Sequence, residues 1–264
     1  MSGLSGSVAR QRWFRIPHPR PAARIRLICL PHAGGGAGAY RSWPASLSPG
    51  VELVAVQPPG REDRLDEPPP ASLEALAAAL AAAMPSVGDR PYVLFGHSMG
   101  AAVAYETCLA LRRQGLTPPV HLVVSGREAP GRERGGNVHR GGDAALRAEL
   151  RRLGLTPPEL IDNPDWWAMA RPILHHDYRL IETYRPAEAA PLAIPITAFV
   201  GERDPELAPG DSEAWAARTS AGFALHRFPG DHFYLIGQRH GVIRALQSLL
   251  DAASGHPARS PTFP

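Results

Sequence analysis

The sequence predicts an α/β fold: a mostly parallel central sheet flanked by helices, with one helical insertion. Three observations carry that prediction. Short apolar runs alternate along the chain with segments of helical period. That alternation lapses between 128 and 190 and then resumes. One apolar run, Tyr92-Val93-Leu94-Phe95, ends in Gly96-His97-Ser98-Met99-Gly100, directly before an Ala-rich helical stretch. Strands that alternate with helices return the chain to the same end of a sheet, so the strands run parallel and the helices cover both faces.

In chain order, the small, polar or Pro-rich ends at 1–11 and 254–264 are expected to be flexible. The first part of the core spans 12–127. It holds strands at 25–30, 51–56, 92–95 and 121–124 and helices at 73–83 and 101–113. Residues 128–190 carry Gly and Arg clusters, a helical pattern at 144–153 and a Pro-bounded stretch with Trp166 and Trp167. This segment reads as a helical lid. Apolar faces with no sheet to cover can cover a ligand channel, and the two tryptophans either line an acyl channel or anchor the lid. The second part of the core, 191–253, holds a strand at 196–200, a helix at 211–218, a weaker strand at 225–228 and a helix at 233–250.

Composition narrows the class. At 264 residues and 44% hydrophobic, the chain can build one sizeable core. No apolar run approaches the roughly 18 residues of a membrane span. The N-terminal stretch has arginines but no apolar core of a signal peptide. Cys29 and Cys108 fall in a predicted strand and a predicted helix, as buried thiols rather than a disulfide framework or a metal site. A cytoplasmic monomer is the expectation. The net charge is only +3, carried entirely by arginine because the chain has no lysine. With no nucleic-acid-binding pattern present, a nucleic-acid partner is not expected.

The Gly-x-Ser-x-Gly turn between a strand and a helix is the pattern of a nucleophile elbow, which holds a serine hydroxyl clear of the backbone. A serine needs a histidine to accept its proton and a carboxylate to orient that histidine. His232, in Phe228-Pro229-Gly230-Asp231-His232-Phe233, lies after the last strand, where such a base belongs. Asp204, in Gly201-Glu202-Arg203-Asp204-Pro205, follows the preceding strand and is the expected acid; Glu202 is the runner-up, and Asp231 reads as shaping the turn. Two backbone amides should receive the developing oxyanion. Met99, after the nucleophile, supplies one. The glycine-rich loop Leu30-Pro31-His32-Ala33-Gly34-Gly35-Gly36 supplies the other, from Ala33 with His32 or Gly34 as alternatives.

Other motifs read as ordinary structure. Gly36-Ala37-Gly38 lacks the third glycine of a dinucleotide loop, and no lysine exists for a phosphate loop. His175-His176-Asp177 invites a metal reading, but adjacent histidines rarely converge on one ion. His97 reads as a packing or hydrogen-bonding residue. No metal and no resident cofactor are expected.

Taken together these motifs resemble those of the type II thioesterases of polyketide and nonribosomal peptide biosynthesis, which have the α/β-hydrolase fold. Besides the loop at Leu30, the elbow and the two segments holding Asp204 and His232, the likeness includes Gln57-Pro58-Pro59-Gly60-Arg61-Glu62 and Glu182-Thr183-Tyr184. The Pro-Gly-Arg-Glu segment discriminates most, since general esterases lack it. The resemblance implies a Ser98–His232–Asp204 triad, an oxyanion hole from Ala33 and Met99, and a substrate thioester whose phosphopantetheine arm belongs to an acyl or peptidyl carrier protein. His175-His176-Asp177 departs from the Arg-Ala-Asp more usual there. The Arg- and Gly-rich 126–142 segment has no clear match, although Arg127, Arg132 and Arg134 could meet an acidic carrier. The rival readings are a general carboxylesterase or lipase, an acyltransferase, and a non-catalytic scaffold.

Overall fold

The structure, a computed structural model, describes residues 10–255. The expectation of flexible ends at 1–11 and 254–264 therefore lies almost wholly outside the described residues. Seven strands form one sheet: β1 (Phe14–Arg15), β2 (Ile25–Leu30), β3 (Val51–Val56), β4 (Tyr92–His97), β5 (His121–Ser125), β6 (Ile196–Gly201) and β7 (Phe223–Phe228). Their spatial order is β1-β3-β2-β4-β5-β6-β7. Every neighbouring pair is parallel except β1 with β3. The sequence reading has no counterpart to β1, because two residues cannot display a strand's period of two.

The central strands are buried on both faces, so side-chain alternation sorts residues between two apolar layers rather than between core and water. In β2, Ile28 and Leu30 pack with α1 (Leu73–Ala83) and α2 (Met99–Arg113). Leu27 and Cys29 point the other way, toward Tyr40, Trp43 and the last helix. In α1, Leu73, Leu76, Ala77, Leu80 and Ala81 are buried, the single stripe of a helix on a sheet. Its first turn is capped by Ser72, which accepts the Ala75 N–H at 3.1 Å.

The insertion between β5 and β6 forms α3 (Gly142–Leu153), α4 (Pro158–Ile161) and α5 (Pro164–Thr183). These helices share a small core of Leu146, Leu150, Ile161, Trp167 and Leu174. At its C-terminal end the insertion is tied down by the Tyr184 hydroxyl, which donates to Glu106 Oε1 on α2 at 2.8 Å.

Two predicted helices differ from expectation. The 211–218 segment forms a 3-10 helix over Glu213–Arg218. It has one buried anchor, Trp215, whose Nε1–H donates to the Arg127 carbonyl at 2.9 Å, and no stripe that would demand α geometry. The 233–250 segment is two helices, α6 (Tyr234–Gly237) and α7 (Arg239–Ala253), broken at Gln238. Among the described residues, no helix is long and apolar enough to cross a membrane.

The chain runs from β2 to β3 on one side of it and then crosses to β4 on the other. The loops leaving β2 and β4 therefore diverge at a topological switch point, where a crevice opens beyond the carboxyl ends of the strands. The Leu30–Gly36 loop and Ser98 follow these two strands.

Candidate active site

Ser98 sits between β4 and α2 with φ 55° and ψ −122°, a conformation that costs a non-glycine residue energy and that surrounding structure must enforce. Its neighbours show the enforcement. A Cβ on Gly96 would lie 2.1 Å from the Gly100 carbonyl oxygen, and one on Gly100 would lie 2.4 Å from the Leu30 carbonyl oxygen. Both positions admit only glycine, which lets the first turn of α2 press against the ends of β2 and β4. The Ser98 N–H donates to the Ser125 carbonyl at 2.8 Å and ties the turn to β5.

His232 follows β7 by way of Gly230, whose φ of 129° suits glycine. Its Nδ1 lies 2.9 Å from Asp204 Oδ2 and 3.0 Å from Oδ1, and both residues are buried. Asp204 is steadied in turn by the Glu206 N–H, which donates to Oδ1 at 2.9 Å. Glu202, the alternative acid, is exposed. Asp231 accepts the Phe233 N–H at 3.0 Å and shapes the turn. Ser98 and His232 face one cavity of about 270 Å³, together with His32, Ala33 and Gly34.

Met99 is the first residue of α2, where helix amides lack intrahelical acceptors. Among the described residues, no protein acceptor takes the Ala33 or the Met99 N–H. Gly34, one of the alternatives to Ala33, is otherwise engaged: its N–H donates to Asp177 Oδ2 at 2.7 Å. His32 Nδ1 lies 2.9 Å from the Ala33 carbonyl, which can only accept, so Nδ1 carries the proton.

Most of the remaining cavity wall is apolar and comes from the insertion, with Leu150, Trp166, Met169, Ile173, Leu174 and Tyr178 among its members. The two tryptophans separate. Trp166 borders the cavity. Trp167 instead anchors the insertion: its Nε1–H donates to Asp143 Oδ2 at 2.9 Å, and the Arg147 guanidinium stacks 4.0 Å from its ring centroid.

His97 makes a structural contact, with Nδ1 2.9 Å from Ser125 Oγ, which is in turn 2.6 Å from the Tyr234 hydroxyl. Burial drives its pKa well below the ordinary histidine value, with the nearby His232 a smaller contributor. Of the arginines considered for an acidic partner, Arg127 pairs with Glu128 at 3.0 Å and Arg134 pairs with Asp211, while Arg132 is exposed. His175 is exposed, and no group of three metal-ligating side chains gathers among the described residues.

Sequence reasoning missed the role of Asp177. It is fully buried, accepts from Arg61 Nη1 at 2.5 Å and Nη2 at 2.8 Å, and joins the Pro-Gly-Arg-Glu segment to the loop after β2. The signal was present: Leu174, Asp177, Leu180 and Ile181 share one face of a helix, and a carboxylate on an apolar stripe requires a buried partner.

Comparison with known proteins agrees with this architecture. The Thioesterase domain family model matches residues 25–250. The chain is 38% identical over 246 residues to the thioesterase PikA5 of Streptomyces venezuelae, covering 93% of this chain and 88% of that protein. Among solved structures, the type II thioesterase BorB from the borrelidin biosynthetic cluster superposes with a TM-score of 0.83 at 40% identity, over 90% of this chain and 97% of that one. YbtT, a type II thioesterase from the yersiniabactin NRPS/PKS pathway, superposes with a TM-score of 0.82 at 32% identity, over 91% and 98%.

Proposed function

The chain belongs to the thioesterase family, a serine-type hydrolase of the polyketide and nonribosomal peptide kind, and on that premise we propose that it is a stand-alone editing enzyme that hydrolyses acyl thioesters on the phosphopantetheine arm of carrier proteins. The observation that carries this reading is the Asp204-bound His232 ring bordering the same cavity as Ser98.

Ser98 Oγ attacks the thioester carbonyl while His232 Nε2 takes its proton. The Ala33 and Met99 amides receive the oxyanion. Collapse of the tetrahedral intermediate expels the pantetheine thiol, protonated by His232, and leaves an acyl-enzyme. Water, deprotonated by the same imidazole, then attacks the ester, releases a carboxylic acid and restores Ser98. Asp204 holds the Nδ1–H throughout and stabilises the imidazolium. The side chains of the triad and these two backbone amides carry the chemistry, and the phosphopantetheine enters with the substrate. The apolar wall of the insertion acts as a lid over the acyl group. The enzyme works in the cytoplasm beside the synthase whose stalled carriers it clears.

The test is a panel of acyl-loaded carrier proteins, with release of free acid followed by mass spectrometry, alongside oxygen esters of the same acids. Faster cleavage of carrier thioesters supports the proposal, whereas preference for oxygen esters supports a carboxylesterase. Ser98→Ala should fold, abolish turnover and lose labelling by a fluorophosphonate; steady hydrolysis by that variant would exclude Ser98 as nucleophile. Raising salt should lower kcat/KM on carrier-bound substrates more than on small thioesters if the carrier docks by charge.

A further inference from the structure

The loop after β2 is held by bonds within itself and by groups outside it that take no part in the triad. All its peptides are trans, so each C=O points opposite to its own N–H. The His32 carbonyl accepts the Gly35 N–H at 3.0 Å, which turns the Ala33 N–H of the same peptide unit the other way. The next unit is fixed at both ends: its carbonyl, on Ala33, accepts from His32 Nδ1, and its N–H, on Gly34, donates to Asp177 Oδ2. Arg61 completes the cage, since Nη1 donates both to the Gly35 carbonyl at 3.0 Å and to Asp177 Oδ2. Gly34 lies directly under α5: at its φ of 78°, a Cβ would come within 2.6 Å of Leu174 Cδ2. The loop is therefore held by its own His32–Gly35 and His32–Ala33 bonds together with a carboxylate 143 residues away and the helix that carries it.

We propose that Asp177, locked by Arg61, is a positioning residue for the oxyanion hole, so that seating α5 and aiming the Ala33 amide are one event. The proposal rests on the thioesterase reading, in which Ala33 supplies half of that hole. Asp177 suits the task. A fork-to-fork guanidinium pair fixes a carboxylate in angle as well as distance. With both partners buried, breaking the pair strands a charge, so the arrangement resists distortion. The same helix contributes Trp166, Met169, Ile173 and Leu174 to the wall of the catalytic cavity. A helix displaced from that wall withdraws Asp177 from Gly34, and the catalyst is then incomplete.

The experiment compares wild type, Asp177→Asn and the double variant Arg61→Gln/Asp177→Asn on a small acyl thioester and with an alkyl trifluoromethyl ketone. Ser98 Oγ adds to the ketone carbon, its proton passes to His232, and the former carbonyl oxygen becomes an oxyanion in the hole. Loss of one oxyanion donor typically costs on the order of 10²–10³ in rate. We expect Asp177→Asn to lower kcat by about 10²-fold with KM changed less than about threefold, and to weaken ketone inhibition in step with kcat/KM. The double variant, which leaves no buried charge unpaired, should regain melting temperature without regaining kcat, and it serves if the single variant does not fold. A purely structural brace predicts the opposite pattern: a lowered melting temperature, with kcat and the ketone inhibition constant within about threefold of wild type. That result in either folded variant overturns the proposal. Absence of ketone inhibition in the wild type, or turnover by Ser98→Ala, would instead overturn the serine reading on which it rests.

Discussion

His232 Nδ1 is bracketed by both oxygens of Asp204, 3.0 Å from Oδ1 and 2.9 Å from Oδ2, with the two side chains 2% and 1% exposed. An ionised carboxylate can only accept, so Nδ1 carries the hydrogen and Nε2 keeps the lone pair that a general base requires. Asp204→Asn preserves the shape but offers an amide donor, which favours the opposite tautomer. In serine-protease triads this exchange costs on the order of 10⁴ in kcat. A comparable fall is expected here with KM little changed, measured by steady-state hydrolysis of a small thioester. A loss below about tenfold would assign the orienting role elsewhere.

The elbow makes a separate prediction about stability. A methyl group on Gly96 would meet backbone, the Gly100 carbonyl at 2.1 Å, and no rotamer can relieve a clash with main chain. Gly96→Ala must therefore pry α2 from β4, at a cost of about 3 kcal/mol or more. Urea unfolding followed by circular dichroism reads this directly. Gly115→Ala is the control for backbone conformation: Gly115 also has positive φ, 64°, but a Cβ there meets nothing within 4 Å, so only the strain of φ should appear.

These local rules explain what was legible beforehand. The strands 25–30 and 51–56 and the helix 73–83 are observed with the expected bounds, because the strands are short, mostly apolar runs, the helix is long enough to show its period, and turn residues bound them. The relation of Ser98, Asp204 and His232 to strand ends was readable because the order of elements decides which loops share an edge of the sheet. Asp177 was not readable as a partner of Arg61: the two are 116 residues apart, and only the packing of α5 against the Gly60 loop brings them together. The contrast between Trp166 and Trp167 was similarly hidden. Adjacent helical residues point about 100° apart, but which faces the cavity depends on where α3 lies.

That contrast is testable. Trp166 borders the cavity that Ser98 and His232 face, so Trp166→Ala enlarges it, and on the proposed reaction kcat/KM for long acyl thioesters should rise relative to short ones. Trp167 packs in the insertion's own core and bonds to Asp143, so Trp167→Ala should cost about 3–5 kcal/mol, the usual range for deleting a buried aromatic. A chain-length series separates the two effects when combined with thermal melts. If the variants shifted selectivity equally, the division of labour would be wrong.

Stability should also respond to acid through His121. Its Nε2 lies 2.8 Å from Thr197 Oγ1, across the β5–β6 pair, and burial pushes its pKa down to about 4. An unfolded chain protonates this imidazole near pH 6.5. Above that value both states are neutral and His121 adds no pH dependence. As pH falls from about 6.5 to about 4, the unfolded chain gains a proton that the folded one refuses, so stability drops across this window and levels off below it. His97, held well below its ordinary value by burial, pulls in the same direction. Urea midpoints at pH 7.5, 6 and 5 should fall for the wild type and fall less steeply for His121→Gln, which has an amide near enough to Thr197 to keep a hydrogen bond but no proton to gain. Identical slopes for the two proteins would mean that the imidazole at 121 is protonated as readily in the fold as in water.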